Sequence, residues 1–332
     1  MPTLSLAEAE ELVMNTLTRC RTDAGNAASV ARALVGAEAE GQKGHGLSRL
    51  PTYAAQAKAG KVDGFAKPTL EWRRPAAALV DAKHGFAYPA IDLALAALPG
   101  AARVSGIAAA GITRSHHCGV VGHPVERLAG KGLIALMFAN TPAAIAPWGG
   151  AKAVFGTNPI AFACPLPGRA PIVVDLSLSK VARGNILAAK QKGEKIPDGW
   201  ALDASGKPTT DPNAALAGTM LPLGDAKGTA LALMVELLAA GLSGANFAAD
   251  ASSFLDAKGS SPGTGQLLIA FDPDAFGGTL DHFAALAAAI EAQPPARLPG
   301  ARRLMAREKA RREGVTVSET LLAEIAAVTE KS

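Results

Sequence analysis

Seven consecutive apolar residues at positions 133–139 constrain the fold of this chain more than any other segment. A strand with one face in water alternates apolar and polar residues, because successive side chains point to opposite faces. An uninterrupted apolar run of strand length therefore predicts a strand that is covered on both faces. The chain accordingly needs a sheet with other elements packed on each side.

The segments on either side of this run alternate between short apolar runs and helical patterns. Further strands are predicted at residues 78–80, 106–113, 159–163, 172–174 and 267–271. Helices are predicted between them at residues 89–104, 124–129 and 229–242. Residues 193–213 are rich in Gly and Pro and are predicted to form a surface loop.

Both ends of the chain have helical patterns. Ser5 and Glu8 form a capping-box pattern that predicts a helix to Arg19, and Asn26 is a candidate cap for a second helix. Further helices are predicted at residues 47–59, 282–291, 302–312 and 318–329. We therefore predict an α/β (α+β) fold, in which residues 1–70 and 280–332 form a helical domain and residues 71–279 form a mixed-sheet domain.

Composition excludes several classes of protein. The three cysteines, Cys20, Cys118 and Cys164, are far apart and odd in number, which argues against a disulfide framework and favours a reducing, cytoplasmic location. The first residues lack an apolar signal core, and the longest apolar helix candidate is shorter than the ~20 residues of a membrane span. The net charge of +4 is spread out without interleaved aromatics, so we expect neither a nucleic-acid partner nor a membrane.

Two common nucleotide motifs are missing. Gly263 and Gly265 are not followed by a third glycine at the spacing of a Rossmann fingerprint, and the P-loop pattern is absent. The sequence Ser-His-His-Cys-Gly at 115–119 follows a predicted strand and could suggest a metal. Because neighbouring side chains on a strand point to opposite faces, we predict no metal there and a binding role at the strand end instead.

The segment at residues 43–49, Lys-Gly-His-Gly-Leu-Ser-Arg, places His45 and Arg49 four residues apart. On a helix this spacing puts both side chains on one face. Histidine exchanges protons near neutral pH, and arginine binds a carboxylate through two hydrogen bonds. The pair fits a small carboxylate substrate that changes protonation as it reacts. The alternative is a histidine at a helix start and a surface arginine.

Three other segments have a ligand-binding and a purely structural interpretation. The turn at 155–159 either leads into a buried strand or presents Thr157 to a ligand. Lys227 in the sequence Gly-Asp-Ala-Lys-Gly opposes the dipole of the helix that it opens, unless an anion binds there. Three arginines surround a Pro-Gly turn at 297–303, as either a solvated basic face or a phosphate clamp.

Taken in order along the chain, these motifs resemble the type-2 malate/L-lactate dehydrogenase family. The similar segments are residues 44–49, 115–117, 155–159, 174–177 with 182–184, and 224–228. The branch that they resemble most is the Δ1-piperideine-2-carboxylate/Δ1-pyrroline-2-carboxylate reductases, through residues 235–242, 264–269 and 297–300. The resemblance implies a cofactor domain without a Rossmann fold, and a homodimer.

The resemblance also implies roles for individual residues. His45 would be the acid/base, Arg49 would hold the substrate carboxylate and Thr157 would line the substrate site. NADPH, or NADH as a possible substitute, would be held by His117, Cys118, Gly119, Val120, Val121, Asp175, Leu176, Ser177, Arg183, Gly184, Lys227, Arg297, Arg302 and Arg303.

Two positions depart from the pattern of that branch. The reductases have a Ser before the catalytic His and an Asp after the later Arg-Gly pair, whereas this chain has Gly44 and Asn185. Asn185 could orient the imidazole of His45 by a hydrogen bond, but it could not stabilise the imidazolium by charge. A protonated iminium substrate is already electrophilic, so reduction of such a substrate tolerates this loss.

We therefore predict NADPH-dependent reduction of a cyclic ketimine carboxylate, Δ1-pyrroline-2-carboxylate or Δ1-piperideine-2-carboxylate, to proline or pipecolate. The alternative is an NAD(P)-dependent 2-hydroxy acid dehydrogenase of the malate, lactate, sulfolactate or ureidoglycolate type, which would use the same two residues on a C=O group. Retention of His45 and Arg49 argues against a third class, a binding protein without catalysis.

Overall fold

The computed structural model describes residues 1–330, and the chain is mixed α/β within them. The helices are α1 Leu6–Arg19, α2 Ala24–Ala39, α3 Leu50–Lys58, α4 Ala87–Ser105, α5 Gly122–Ala129, α6 Arg183–Lys192, α7 Pro212–Ala217, α8 Ala226–Glu236, α9 Leu280–Glu291, α10 Ala301–Glu313 and α11 Glu319–Glu330. The strands are β1 Thr3–Leu4, β2 Thr69–Arg74, β3 Ala77–Asp81, β4 Ile107–Ser115, β5 Ile134–Ala139, β6 Ile160–Leu166, β7 Arg169–Leu176, β8 Ala201–Leu202, β9 Pro208–Thr209, β10 Thr219–Met220, β11 Thr264–Phe271 and β12 Val315–Thr316.

The central sheet has seven strands in the order β2-β3-β4-β11-β5-β6-β7. Only the β3–β4 pair in this sheet is parallel. The apolar run at 133–139 forms β5, between β11 and β6. Ala135 and Met137 belong to a core that α4 and α5 cover, and Phe138 belongs to a second core beneath α8. The prediction of a strand covered on both faces is confirmed.

The N-terminal helices differ from their prediction in two details. The capping box of α1 is present, with the Glu8 N–H donating to Ser5 Oγ at 3.2 Å. The predicted Asn26 cap is wrong, since Asp23 caps α2 and Asn26 Nδ2 donates to the carbonyls of Gly64 and Ala66 instead. The helix predicted at 47–59 begins only at Leu50.

Residues from both chain ends share one hydrophobic core. Leu17, Leu34 and Tyr53 pack in the same cluster as Ala310 and Ile325, and β1 pairs with β12. Helix α9 lies elsewhere, in a cluster with Leu166 of β6. Helix α2 of this core also contacts α4, which packs on β4 of the seven-stranded sheet.

A small three-stranded sheet, in the order β10-β8-β9, lies beside α6 and α7. The prediction of an irregular loop at 193–213 is therefore wrong in part, because β8, β9 and the start of α7 fall inside it. The helix predicted at 229–242 runs as α8 to Glu236 and continues as a π-helical turn, Leu237–Gly241. Among residues 1–330, no helix has the length and apolar character needed to span a bilayer.

Candidate active site

The loop between α2 and α3 carries His45 and Arg49. It folds as two consecutive 3₁₀ turns, Lys43–His45 and Leu47–Arg49. The buried carboxylate of Glu38 holds this loop, because its Oε2 accepts a hydrogen bond from the Leu47 N–H at 3.0 Å. A Cβ atom at Gly46 would collide with the same oxygen, so glycine is required where the loop passes Glu38.

His45 is held as a neutral imidazole. Its ring stacks on the ring of His117 with a centroid distance of 5.2 Å. Its Nδ1 is buried and has no hydrogen-bond partner within residues 1–330. Burial, together with the positive charge of Arg49 and the proximity of His123, lowers the pKa of His45 to about 4. At neutral pH the ring is therefore uncharged, and its surroundings disfavour protonation.

A buried aromatic cluster lies behind His45. The hydroxyl of Tyr53 is 2.5 Å from His117 Nδ1 and 3.1 Å from the hydroxyl of Tyr88. The ring of Phe254 packs on His117 with a centroid distance of 5.1 Å. Burial lowers the pKa of His117 well below its ordinary value and raises the pKa of Tyr53. The cluster is therefore uncharged, and Tyr53 fixes the orientation of His117.

His116 shares ring contacts with Tyr53 and Phe254 with its neighbour His117 but has a different polar partner. Its Nε2 is 2.8 Å from Gln56 Oε1, and burial lowers its pKa to about 3. Among the residues that the structure describes, no three His, Cys, Asp or Glu side chains lie close enough together to hold a metal ion. The two adjacent histidines thus lie in one aromatic cluster and differ in their hydrogen-bond partners, Gln56 for His116 and Tyr53 for His117.

Arg49 is the cationic group of the site. Its Nε donates to the carbonyl of Gly44 at 2.6 Å, which fixes the direction of the side chain. Within residues 1–330 the guanidinium forms no ion pair with a carboxylate. Both terminal nitrogens can therefore face a carboxylate from outside the chain.

The turn that carries Thr157 is joined to the segment after β7. The Thr157 N–H donates to Thr141 Oγ1 at 2.9 Å, and the two hydroxyls are 3.3 Å apart. The carbonyl of Thr157 accepts hydrogen bonds from the Leu178 N–H at 2.8 Å and from Ser177 Oγ at 3.4 Å. The predicted substrate turn and the predicted cofactor segment at 175–177 are neighbours.

The loop at 117–121 is packed too tightly for larger residues. Gly119 has a φ of +67°, and a Cβ there would lie 2.6 Å from the Tyr88 hydroxyl. Cys118, Val120 and Val121 are buried. The loop leads into α5, whose first N–H, of Gly122, donates to Asp175 Oδ2 at 2.9 Å. Two of the predicted cofactor segments thus meet at Asp175.

The predicted residues of α6 lie at its first turn. Arg183 is half-buried, and burial lowers its pKa. Gly184 and Asn185 are exposed. No hydrogen bond joins Asn185 to His45 among residues 1–330, and the catalytic role of Asn185 remains a prediction.

The remaining predicted cations differ in exposure. Lys227 is exposed in the first turn of α8, and Arg297 and Arg302 are exposed near the start of α10. Arg303 is instead mostly covered, and its Nη1 lies 2.9 Å from Glu126 Oε2 and 3.3 Å from Glu40 Oε2. Three of these four cations can therefore meet an anion at the surface.

Comparison with known proteins identifies the family. The sequence profile of the malate/L-lactate dehydrogenase family matches residues 4–326. The chain belongs to this family. The resemblance found from the motifs is thereby confirmed, and the protein is an oxidoreductase.

Two relatives and one solved structure illustrate the range of this dehydrogenase family. A (2R)-3-sulfolactate dehydrogenase (NADP(+)) of Chromohalobacter salexigens is 50% identical over 325 residues, which are 98% of this chain and 97% of the relative. A Delta(1)-pyrroline-2-carboxylate/Delta(1)-piperideine-2-carboxylate reductase of Pseudomonas aeruginosa is 42% identical over 98% of this chain and 99% of the relative. The structure of delta1-piperideine-2-carboxylate reductase from Pseudomonas syringae pvar. tomato superposes with a TM-score of 0.93 at 36% identity, over 99% of this chain and 100% of that one.

Sequence reasoning missed several residues of this candidate site. Tyr53, Tyr88 and Phe254 surround His117, and Glu38 holds the loop that carries His45. Tyr53 sits in a predicted helix four residues after Arg49, and this spacing was an available signal. Phe254 lies in an irregular segment far along the chain, and no local pattern indicated it.

Proposed function

We propose that this protein is an NADPH-dependent reductase of cyclic ketimine carboxylates, with Δ1-pyrroline-2-carboxylate and Δ1-piperideine-2-carboxylate as substrates and proline and pipecolate as products. The observation that carries the proposal is the unpaired Arg49 beside a neutral His45. This arrangement provides one cation for one carboxylate and no strong acid. It fits a substrate that arrives with its own proton on nitrogen.

Each residue would have one role in binding the substrate. Arg49 binds the carboxylate through its terminal nitrogens, and Thr157 contacts the substrate from the opposite turn. His45 lies next to the reacting C=N group and keeps the ring nitrogen protonated by hydrogen bonding, with His117 stacked behind it. Reduction of an iminium needs no proton transfer to the reacting bond, so a His45 pKa of about 4 does not block it.

The proposed cofactor is NADPH, held outside a Rossmann fold. The described residues fit it in one respect: Arg183, Lys227, Arg297 and Arg302 supply cations for its phosphates. When bound, NADPH would supply the hydride that reduces the ring carbon. The 50% identical relative is a sulfolactate dehydrogenase that uses NADP(+), which supports the phosphorylated cofactor.

A second candidate is oxidation of a 2-hydroxy acid, and two observations favour it. The 50% identical relative is a sulfolactate dehydrogenase. A buried histidine with a pKa of about 4 is also deprotonated at neutral pH, as a base must be to accept the hydroxyl proton. Arg49 would again hold the carboxylate.

Parallel assays separate the two candidates. Purified protein is given NADPH with Δ1-pyrroline-2-carboxylate, Δ1-piperideine-2-carboxylate, pyruvate, oxaloacetate or sulfopyruvate, and NADP⁺ with the corresponding amino or hydroxy acids. We expect the highest kcat/KM with a cyclic imino acid. A kcat/KM at least tenfold higher with any keto or hydroxy acid would replace the proposal by the second candidate.

We also propose a cytoplasmic homodimer, with a helical domain formed by residues 1–70 and 280–332, in which α9 makes the contact with β6. The three free cysteines are buried, which fits a reducing compartment. The outer face of α8 and its π-helical extension exposes Leu231, Met234, Leu237 and Leu242. These exposed apolar side chains fit a symmetric contact with a second copy, with the exposed Lys227 one turn before Leu231 at the edge of the face. Sedimentation velocity at micromolar concentration tests this, and a Leu237→Glu variant should be monomeric.

A further inference from the structure

Glu236 is a buried carboxylate that the proposed chemistry does not use. It is the last residue of α8, is 4% exposed and forms no ion pair with a described residue. Burial of an unpaired charge is costly unless hydrogen bonds compensate for it. The helix changes to a π-helical turn directly after Glu236, and such turns are frequent at functional sites.

Three donors from three separate segments converge on this carboxylate. Glu236 Oε1 accepts hydrogen bonds from Asn140 Nδ2 at 3.0 Å and from the Ala248 N–H at 2.6 Å. Oε2 accepts from Asn158 Nδ2 at 2.7 Å. Asn140 follows β5, Asn158 precedes β6 and Ala248 lies in the loop after the π-helical turn. The carboxylate therefore ties both strand ends to α8.

Asn158 connects this carboxylate to the substrate turn. It is completely buried and has a φ of +38°, in the left-handed region that non-glycine residues rarely adopt. Its Nδ2 donates both to Glu236 and to the Ala232 carbonyl at 3.0 Å. The side chain of the preceding residue, Thr157, has one hydrogen-bond partner within residues 1–330, the hydroxyl of Thr141. Asn158 thus holds the peptide after Thr157, in addition to the hydrogen bonds that Thr141 and Leu178 make with the Thr157 backbone.

We propose that Glu236 is a positioning residue, which holds Asn158 and thereby sets the position of Thr157 in the substrate site. This inference rests on the proposed function, because it takes Thr157 as a substrate contact. Glu236 touches neither the substrate nor the reacting bond. It acts through its hydrogen bond with Asn158 and through the peptide bond that joins Asn158 to Thr157.

The first test is Glu236→Gln, which removes the charge and replaces one acceptor by a donor. We expect KM for the acid that the wild type reduces best to rise roughly tenfold, the effect of losing ~1.4 kcal/mol of binding. The dissociation constant for NADPH should stay within twofold. A folded Glu236→Gln protein with a KM within twofold of wild type would overturn the proposal.

A double-mutant cycle separates failure of this inference from failure of the proposed function. If Glu236 acts through Thr157, Glu236→Gln should have little further effect on KM in a Thr157→Val background. Additive effects on KM would overturn the positioning role. A Thr157→Val enzyme with the KM of the wild type would instead remove Thr157 from the substrate site.

A measurement without catalysis covers the case in which Glu236→Gln folds poorly. Asn158→Gly keeps the positive φ accessible but removes the side chain that Glu236 holds. We expect the Thr157 N–H to exchange with solvent at least tenfold faster in Asn158→Gly. The matched control is Asp272→Asn, which alters a buried carboxylate at the other end of β11, beside Arg103. The control should lose stability while KM and Thr157 exchange are unchanged. Equal Thr157 exchange in wild type and Asn158→Gly would overturn the inference.

Discussion

Two groups of charged residues on neighbouring elements have opposite arrangements. The ionic junction consists of Glu40, Glu126, Arg303 and Arg307, and joins α2, α5 and α10. Each of its carboxylates contacts both of its arginines. The His45–Arg49 pair begins only five residues after Glu40, yet Arg49 has no carboxylate partner among residues 1–330.

The difference shows which charges the chain uses to hold itself together. In the junction each charge is neutralised within the protein, so a change there should reduce stability more than activity. In the active site the charge of Arg49 is uncompensated until a substrate binds, so a change there should reduce activity more than stability. Perturbed pKa values occur in both places, and pairing distinguishes the functional from the structural group.

The largest effect should come from breaking the junction with Glu40→Gln. The Glu40 side chain is 1% exposed, and removing one partner from a buried ionic network typically costs ~3–5 kcal/mol. Although burial alone would raise the pKa of Glu40, its contacts with His123, Arg307 and Arg303 hold that pKa below the usual range. The stabilisation is therefore present at neutral pH and is lost as the pH falls through the lowered pKa.

Urea unfolding of wild type and Glu40→Gln at pH 7 and at pH 4 measures this effect. The difference in the free energy of unfolding between the two proteins should be smaller at pH 4 than at pH 7. The kcat/KM of Glu40→Gln at pH 7 should stay within threefold of the wild-type value. Glu308→Gln is the control, because it breaks an exposed pair with Arg311 on α10 and should cost less than ~1 kcal/mol. Equal losses of unfolding free energy in Glu40→Gln and Glu308→Gln would contradict the claim that the buried junction stabilises the protein more than an exposed ion pair does.

The second effect is the converse, a loss of activity without loss of stability. Arg49→Met should raise KM for the substrate acid by the factor that corresponds to ~2–5 kcal/mol, since it leaves the substrate carboxylate unpaired. The dissociation constant for NADPH and the unfolding midpoint should change little, because Arg49 pairs with no carboxylate of the chain. Arg49→Lys keeps the charge but cannot form two parallel hydrogen bonds with a carboxylate. Its KM should therefore lie between those of the wild type and Arg49→Met. An unchanged KM in Arg49→Met would remove Arg49 from the site.

Sequence patterns predicted the His45–Arg49 pair and did not predict the ionic junction. The strand at 133–139 and the capping box at Ser5 are local, since their signals lie within a few residues of each other. His45 and Arg49 share one short motif. The junction joins Glu40 to Arg307, 267 residues away, and no local pattern indicates such a pair. Arg303 was consequently predicted to be a cofactor residue, while the structure places it between two carboxylates.

A third prediction separates Arg302 from Arg303. Arg302 is exposed, whereas Arg303 is engaged by Glu40 and Glu126. Arg302→Ala should reduce the preference for NADPH over NADH by up to roughly tenfold, the effect of a lost charged contact of ~1.4 kcal/mol, and leave stability unchanged. Arg303→Ala should lower the unfolding midpoint more than it alters the cofactor ratio. If Arg303→Ala changes that ratio and Arg302→Ala does not, Arg303 leaves the junction to bind phosphate.

The smallest effect concerns Asn185, a position at which the resemblance to the reductases implies an Asp. A carboxylate in contact with His45 would raise the pKa of this histidine by stabilising its charged form. Asn185, however, is exposed at the first turn of α6, and charges near the surface are screened by water and salt. We therefore expect Asn185→Asp to shift the acid limb of kcat/KM by less than about half a pH unit. The matched control is Asn213→Asp, which introduces the same charge at an exposed position of α7. The pH dependence of kcat/KM reports ionisations of the free enzyme and free substrate. If the acid limb moves to higher pH by a full unit in Asn185→Asp and not in the control, α6 closes onto His45 and residue 185 is its hydrogen-bond partner.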